Sequence, residues 1–176
     1  MLLTATAPPE VQSELQSLVR NPFISRGNID RQNIYFQCEE IDSGDSEDFS
    51  DFTARASQLI GNECAIIYTD LIRHVGPIMS KLAEHGIDSV AYYGEMNPKS
   101  RTESYMKWKS GNVNVMVATT AFGMGINKPD IRHIVRYGVP ESLCTWAQEF
   151  GRGGRDGGGA TATILYSMAN TDHAMA

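Results

Sequence analysis

Apolar residues recur along this chain in two rhythms, one helical and one strand-like. Val11, Leu15 and Leu18 repeat on one helical face behind "PPE", where proline suits a first turn. A short strand, "NIYFQC", follows a polar turn. Phe49, Phe52, Ala56, Leu59 and Ile60 line one face of a helix predicted over 47–60, and Gly61 stops it. From there strands and helices alternate. "CAIIY" reads as a buried strand. The next helix ends near His85, closed by Gly86, and Pro77 fits best in its first turn. "DSVAYY" is a strand. Asn97-Pro98 caps and opens a helix to about Lys109, with Tyr105 and Met106 facing inward. Then come the strand "VNVMVA", the loop "TTAFGMGINKPD" and the strand "RHIVRY". In the helix "SLCTWAQEF" the residues Leu143, Trp146, Ala147 and Phe150 share a face, and "ATATILYS" is the last strand.

Strands separated by helices predict an α/β fold with a parallel sheet covered on both faces. In such sheets ligands sit at the carboxyl ends of the strands. Both glycine-rich segments, "TTAFGMGINKPD" and "GRGGRDGGG", are expected on that one rim. Phe122 and Met124 of the first are as readily core residues as functional ones.

Composition narrows the classes. The chain has 176 residues, 41% apolar and 20% charged, which fits one ordinary globular domain. No apolar run approaches the ~20 residues of a membrane span. Cys38, Cys64 and Cys144 are far apart and form no zinc spacing, so free thiols in a reducing compartment are expected, with no metal. The net charge of −6 argues at first against nucleic acid. Seven of the 21 acids, however, crowd into "EEIDSGDSEDFSD", leaving 14 against 15 bases elsewhere. Bulk charge therefore neither supports nor excludes a nucleic-acid partner.

The chemistry gathers in "QEFGRGGRDGGG". Glycine this dense would weaken a helix, so the backbone there turns sharply or approaches something closely. Arg152 and Arg155 add planar cations able to grip phosphate through paired hydrogen bonds. The usual phosphate cradle, G-x-x-x-x-G-K-[ST], is absent, since no lysine follows a glycine. No compact acid pair offers a magnesium site. A phosphate grip without a cradle suits an enzyme split over two lobes, one holding the nucleotide and the other inserting arginines.

"QEFGRGGRDG" resembles motif VI of superfamily 2 helicases, and "VATTAFGMGINKPDIR" resembles motif V of RecQ-type DNA helicases. "AIIYTD" is similar to motif IV, "AYYGEM" to the element after it, and "LLTATAPPEV" to motif III. The resemblance covers essentially the whole chain in the family's order. It implies a RecA-like three-layer fold with a mainly parallel central sheet flanked by helices. It makes 1–25 the tail end of a first helicase lobe and 26–176 the second lobe.

By position, the resemblance implies that Arg152 and Arg155 reach the β/γ-phosphates of ATP and that Gln148 orders the γ-phosphate or attacking water. Gly125, Asn127, Asp130 and Gly151 belong to the nucleotide side. Thr119 meets a DNA phosphate, and Thr69, Tyr93 and Gly94 lie along the strand's track. ATP and Mg²⁺ would be held mainly by the first lobe, with no zinc here. The partners implied are that lobe and single-stranded or partly duplex DNA, unwound 3′ to 5′, with no membrane; the compartment is the nucleus in a eukaryote and otherwise the cytoplasm. Two departures stand out. Gly153 replaces the usual alanine, adding backbone freedom, and Glu95 puts an acid beside the track. The alternative is a non-enzymatic remnant that binds nucleic acid or protein.

Overall fold

The computed structural model describes residues 9–21, 23–24, 30–42, 48–120 and 127–168. The chain divides into two compact units, Met1–Gln32 and Asn33–Ala176. The first contains helix α1 (Pro9–Ser17). Every other element of the described residues lies in the second.

Among the described residues six strands build one parallel sheet: β1 (Ile34–Glu40), β2 (Ala65–Tyr68), β3 (Ser89–Tyr92), β4 (Val115–Ala118), β5 (His133–Tyr137) and β6 (Ala160–Tyr166). Their spatial order is β1-β6-β5-β2-β4-β3, and every pair is parallel. The crossovers are α2 (Ser50–Ile60), α3 (Ile72–Glu84), α4 (Pro98–Lys109) and α5 (Leu143–Phe150). Only the β4–β5 connection lacks a helix among the described residues.

Strand residues alternate between faces. Ala65, Ile67, Val115, Val117, Val135, Tyr137 and Leu165 pack with Phe49, Phe52, Ala56, Ile60, Val75, Ile78 and Leu82 on the α2–α3 side. Ile66, Tyr68, Met116, Ala118, Ile134 and Ala162 pack with Trp108 of α4 and Trp146 of α5 on the other. β2 and β4 are buried along their whole length, as expected for central strands covered twice. The α/β layering predicted from the alternation is what the fold has.

Local differences have local causes. α2 starts at Ser50, where the Asp48 carboxylate accepts the Ser50 N–H at 3.0 Å, and Gly61 ends it at φ +53°. α3 starts earlier than predicted, so Pro77 lies inside the helix rather than in its first turn. α4 turns Trp108, not Met106, into the core; Met106 is 56% exposed, and the Trp108 indole N–H donates to the Ala65 carbonyl at 3.2 Å. In α5, Trp146 is buried but Leu143 is 83% exposed.

Candidate functional site

The arginine loop is built by α5. Ser142 caps the helix, its Oγ accepting the Thr145 N–H at 3.1 Å. Because β5 and β6 are parallel neighbours, α5 must carry the chain back to the amino ends of the strands. The turn 151–159 therefore opens just before β6. Gly154 N–H donates to the Ile131 carbonyl at 2.8 Å, and Ala160 N–H to the Asn33 carbonyl at 2.9 Å. Asn33 Nδ2 donates to the Gly154 and Gly158 carbonyls, both at 2.8 Å. These anchors precede β5, β6 and β1. The expectation that the arginine loop sits on the carboxyl rim is thus corrected: a crossover helix returns its far end to the opposite rim.

The loop is tightly held. Gly154 has φ +53°, and a Cβ there would stand 2.4 Å from the Gly158 carbonyl oxygen and 2.5 Å from Asn33 Nδ2. Gly153 was expected to add freedom. It is instead buried, and a Cβ would stand 3.1 Å from the Ala160 Cβ, so glycine here permits close packing on β6. The Arg132 guanidinium pairs with both carboxylate oxygens of Asp156, and its Nη1 also donates to the Gly159 carbonyl at 3.2 Å. This contact holds the Asp156 carboxyl below the usual carboxylate range. Asp156 N–H donates to the Pro129 carbonyl at 3.3 Å. The end of the "GINKPD" loop and the arginine loop therefore meet, but at the amino rim.

The predicted nucleotide residues gather there unevenly. Gln148 and Asn127 are exposed, and Gly151 is half-buried as the cap of α5. Asp130 is exposed and takes the Lys128 ammonium at 3.1 Å. Lys128 is itself buried, 5.5 Å over the Trp108 ring. Gly125, with Phe122 and Met124, lies outside the described residues. The two arginines diverge. Arg155 is exposed, its Nε donating to the Gly151 carbonyl at 3.3 Å. Arg152 is only 5% exposed, and its guanidinium lies near the Tyr68 hydroxyl. Burial pushes that phenol well above its ordinary value, with Arg152 opposing the rise.

Beneath the loop is a cluster that the sequence reading missed. Arg136 of β5 is wholly buried; its Nη1 donates to Glu149 Oε1 at 2.5 Å and its Nη2 to the Asp70 carboxylate. Burial pushes Glu149 up to about 7, against the pull of Arg136. The available signal was an arginine inside the apolar strand "RHIVRY", which must find a partner when buried.

The predicted nucleic-acid residues lie at the opposite, carboxyl rim. Thr69, Tyr93 and Thr119 directly follow β2, β3 and β4, which are adjacent in the sheet, and Gly94 comes next to Tyr93. Thr69 N–H donates to the Ala118 carbonyl at 3.0 Å, and Thr119 N–H to the Tyr92 carbonyl at 3.2 Å. Both threonines are buried, Tyr93 is half-buried, and Gly94 and Glu95 are exposed. Thr69 Oγ1 lies 3.1 Å from His74 Nδ1. Arg101 of α4, also missed, sits 5.9 Å from the Tyr92 ring centre and brings a cation to this rim. Among the described residues no group of three or more His, Cys, Asp or Glu side chains could hold a metal, and no helix is long and apolar enough to cross a membrane.

Residues 52–157 match the family model described as the helicase conserved C-terminal domain. The chain is 31% identical over 175 residues to ATP-dependent DNA helicase Q-like 2 of Arabidopsis thaliana, covering 96% of this chain and 24% of that protein. It is 30% identical over 173 residues to ATP-dependent DNA helicase Q1 of Mus musculus, covering 97% of this chain and 26% of that one. It thus spans about a quarter of the length of these RecQ-type relatives. In fold it is similar to Saccharomyces cerevisiae Dbp5 bound to RNA and ADP BeF3, with a TM-score of 0.75 at 19% identity over 98% of this chain and 46% of that one. The chain belongs to the helicase conserved C-terminal domain family.

Proposed function

We propose that this chain acts as the second motor lobe of a RecQ-like ATP-dependent 3′–5′ DNA helicase, silent without its first lobe. The observation that carries the reading is an exposed Arg155, with Gln148 also exposed, in the turn of a family-matched loop. The donor chemistry fits one side of a triphosphate: a guanidinium, an amide and a glycine-rich backbone, with no cradle lysine. Bound ATP supplies the phosphoanhydride to be cleaved, and Mg²⁺, held on the first lobe, neutralises its charge. Arg155 stabilises the charge that develops on the leaving phosphate. Arg152 joins it by turning away from Tyr68. Gln148 orients the γ-phosphate or water, while Asn127 and Gly125 flank the nucleotide, with Asp130 and Gly151 supporting their loops. Thr69, Thr119, Tyr93 and Gly94 carry the DNA strand along the carboxyl rim, and Arg101 offsets the charge of Glu95.

The two rims give the lobe two separate jobs, one facing the nucleotide and one facing DNA. Such an assignment also suits DNA repair and unwinding. Its test is reconstitution. Mixed with a separately produced first lobe, the chain should give DNA-stimulated ATP hydrolysis, and Arg155→Ala should lower it roughly 10³-fold or more. Hydrolysis that is indifferent to Arg155→Ala would reject the finger role.

A further inference from the structure

The backbone of the arginine loop and the Thr69 turn lie toward opposite ends of the sheet, and two buried side chains run between them, Arg152 beside Tyr68 and Arg136. Arg136 is the fourth residue of β5, on the α5 face. Its Nη1 reaches Glu149, which sits between Gln148 and Phe150 in the last turn of α5. Its Nη2 reaches Asp70, the residue after Thr69 on the carboxyl rim. We propose that Arg136 is a positioning residue for the arginine loop, tying α5 through Glu149 to the Asp70 turn, so that the loop's placement depends on the rim that carries Thr69. The inference deepens the function proposed above and rests on it.

Stability alone does not account for such a cluster. Burying a cation and one carboxylate, with a second carboxylate at the surface, sacrifices hydration, and a well-packed apolar replacement is often as stable or more so. What the ions add is direction: a guanidinium offers fixed donors, whereas methyl groups do not set a rotation or register. α5 needs that, because it is only 8 residues long and its first apolar residue, Leu143, is 83% exposed. Trp146 and Phe150 hold it to the core by apolar contact alone, which leaves its rotation to polar groups. The charged groups facing Glu149 are Arg136 from β5, Asp70 from the turn after β2, and Arg152 from the loop itself. A movement of Arg152 toward a phosphate removes one of the two cations beside Glu149. Arg136 then carries the remaining grip on α5.

The test uses the full-length protein with both lobes. Arg136→Met alone strands Glu149 and can unfold the lobe, so the informative variant is the apolar pair R136M/E149M. Melting temperature, the DNA concentration for half-maximal stimulation, and the maximal DNA-stimulated ATPase rate are measured together. The pair should melt like the parent and require a similar DNA concentration. Its maximal rate should fall roughly ten- to hundred-fold, as expected from a misplaced reacting group. Arg136→Lys, which keeps the charge but loses the fork, should recover part of that rate. A stable R136M/E149M protein with the parent's maximal rate overturns the positioning role and leaves the motor assignment standing. A parent protein with no DNA-stimulated hydrolysis overturns both.

Discussion

Gly154 is where a single residue decides whether the arginine loop can form. Its φ of +53° is one that a side chain disfavours, and the space a Cβ needs is taken by the Gly158 carbonyl and Asn33 Nδ2. Gly154→Ala should therefore destabilise the lobe by about 1–3 kcal/mol, read as a lower urea midpoint. An unchanged midpoint would mean the loop is looser than its contacts imply. The same loop shows what sequence can tell at this scale. Glycine density announced a sharp turn, and the loop makes one; the phosphate chemistry expected of the paired arginines belongs to the proposed function. Nothing in "GRGGR" distinguished Arg155, on the surface, from Arg152, against Tyr68. That difference depends on which face of a turn each side chain leaves from, which spacing alone does not give.

Among the elements, period and capping were readable because each is a local property. Gly61 and Asn97 end and begin helices as their chemistry requires. The inward residues of α4 and α5 were less legible. Trp108 is inward and Met106 outward because the indole N–H has the Ala65 carbonyl to meet, a partner 43 residues away. The seam between α5 and β5 was half legible, since Arg136 in an apolar strand signalled a buried partner without saying which, and it carries a pH prediction. Burial raises Glu149 to about 7, above the 4.5 of an ordinary glutamate. Between those values the folded lobe holds a proton that the unfolded chain has released, so stability falls as pH rises through that window. Asp156 and Glu39, held low by Arg132 and Arg55, act in a different window, losing their contribution only as pH drops below the ordinary carboxylate range. The urea midpoint should decline from about pH 5 to about pH 7.5, and Glu149→Gln should flatten that decline. A midpoint that rises across the interval would show Glu149 to be stabilised as an anion.

At the scale of the whole molecule, alternating strands and helices specified the layers but not which rim each loop occupies. Strand order is set by pairing between distant segments, and the return of α5 to the amino rim follows only once β5 and β6 are known to be neighbours. That topology sets the Arg155 turn apart from the Thr69–Thr119 rim, and under the proposed function the lobe is half of a nucleotide site. The most direct measurement is calorimetric titration of Mg²⁺–ATP into this chain alone, and then into its mixture with the first lobe. The account predicts no measurable binding to the chain alone and micromolar binding to the mixture that weakens with Arg155→Ala. Micromolar affinity in the isolated chain would contradict it.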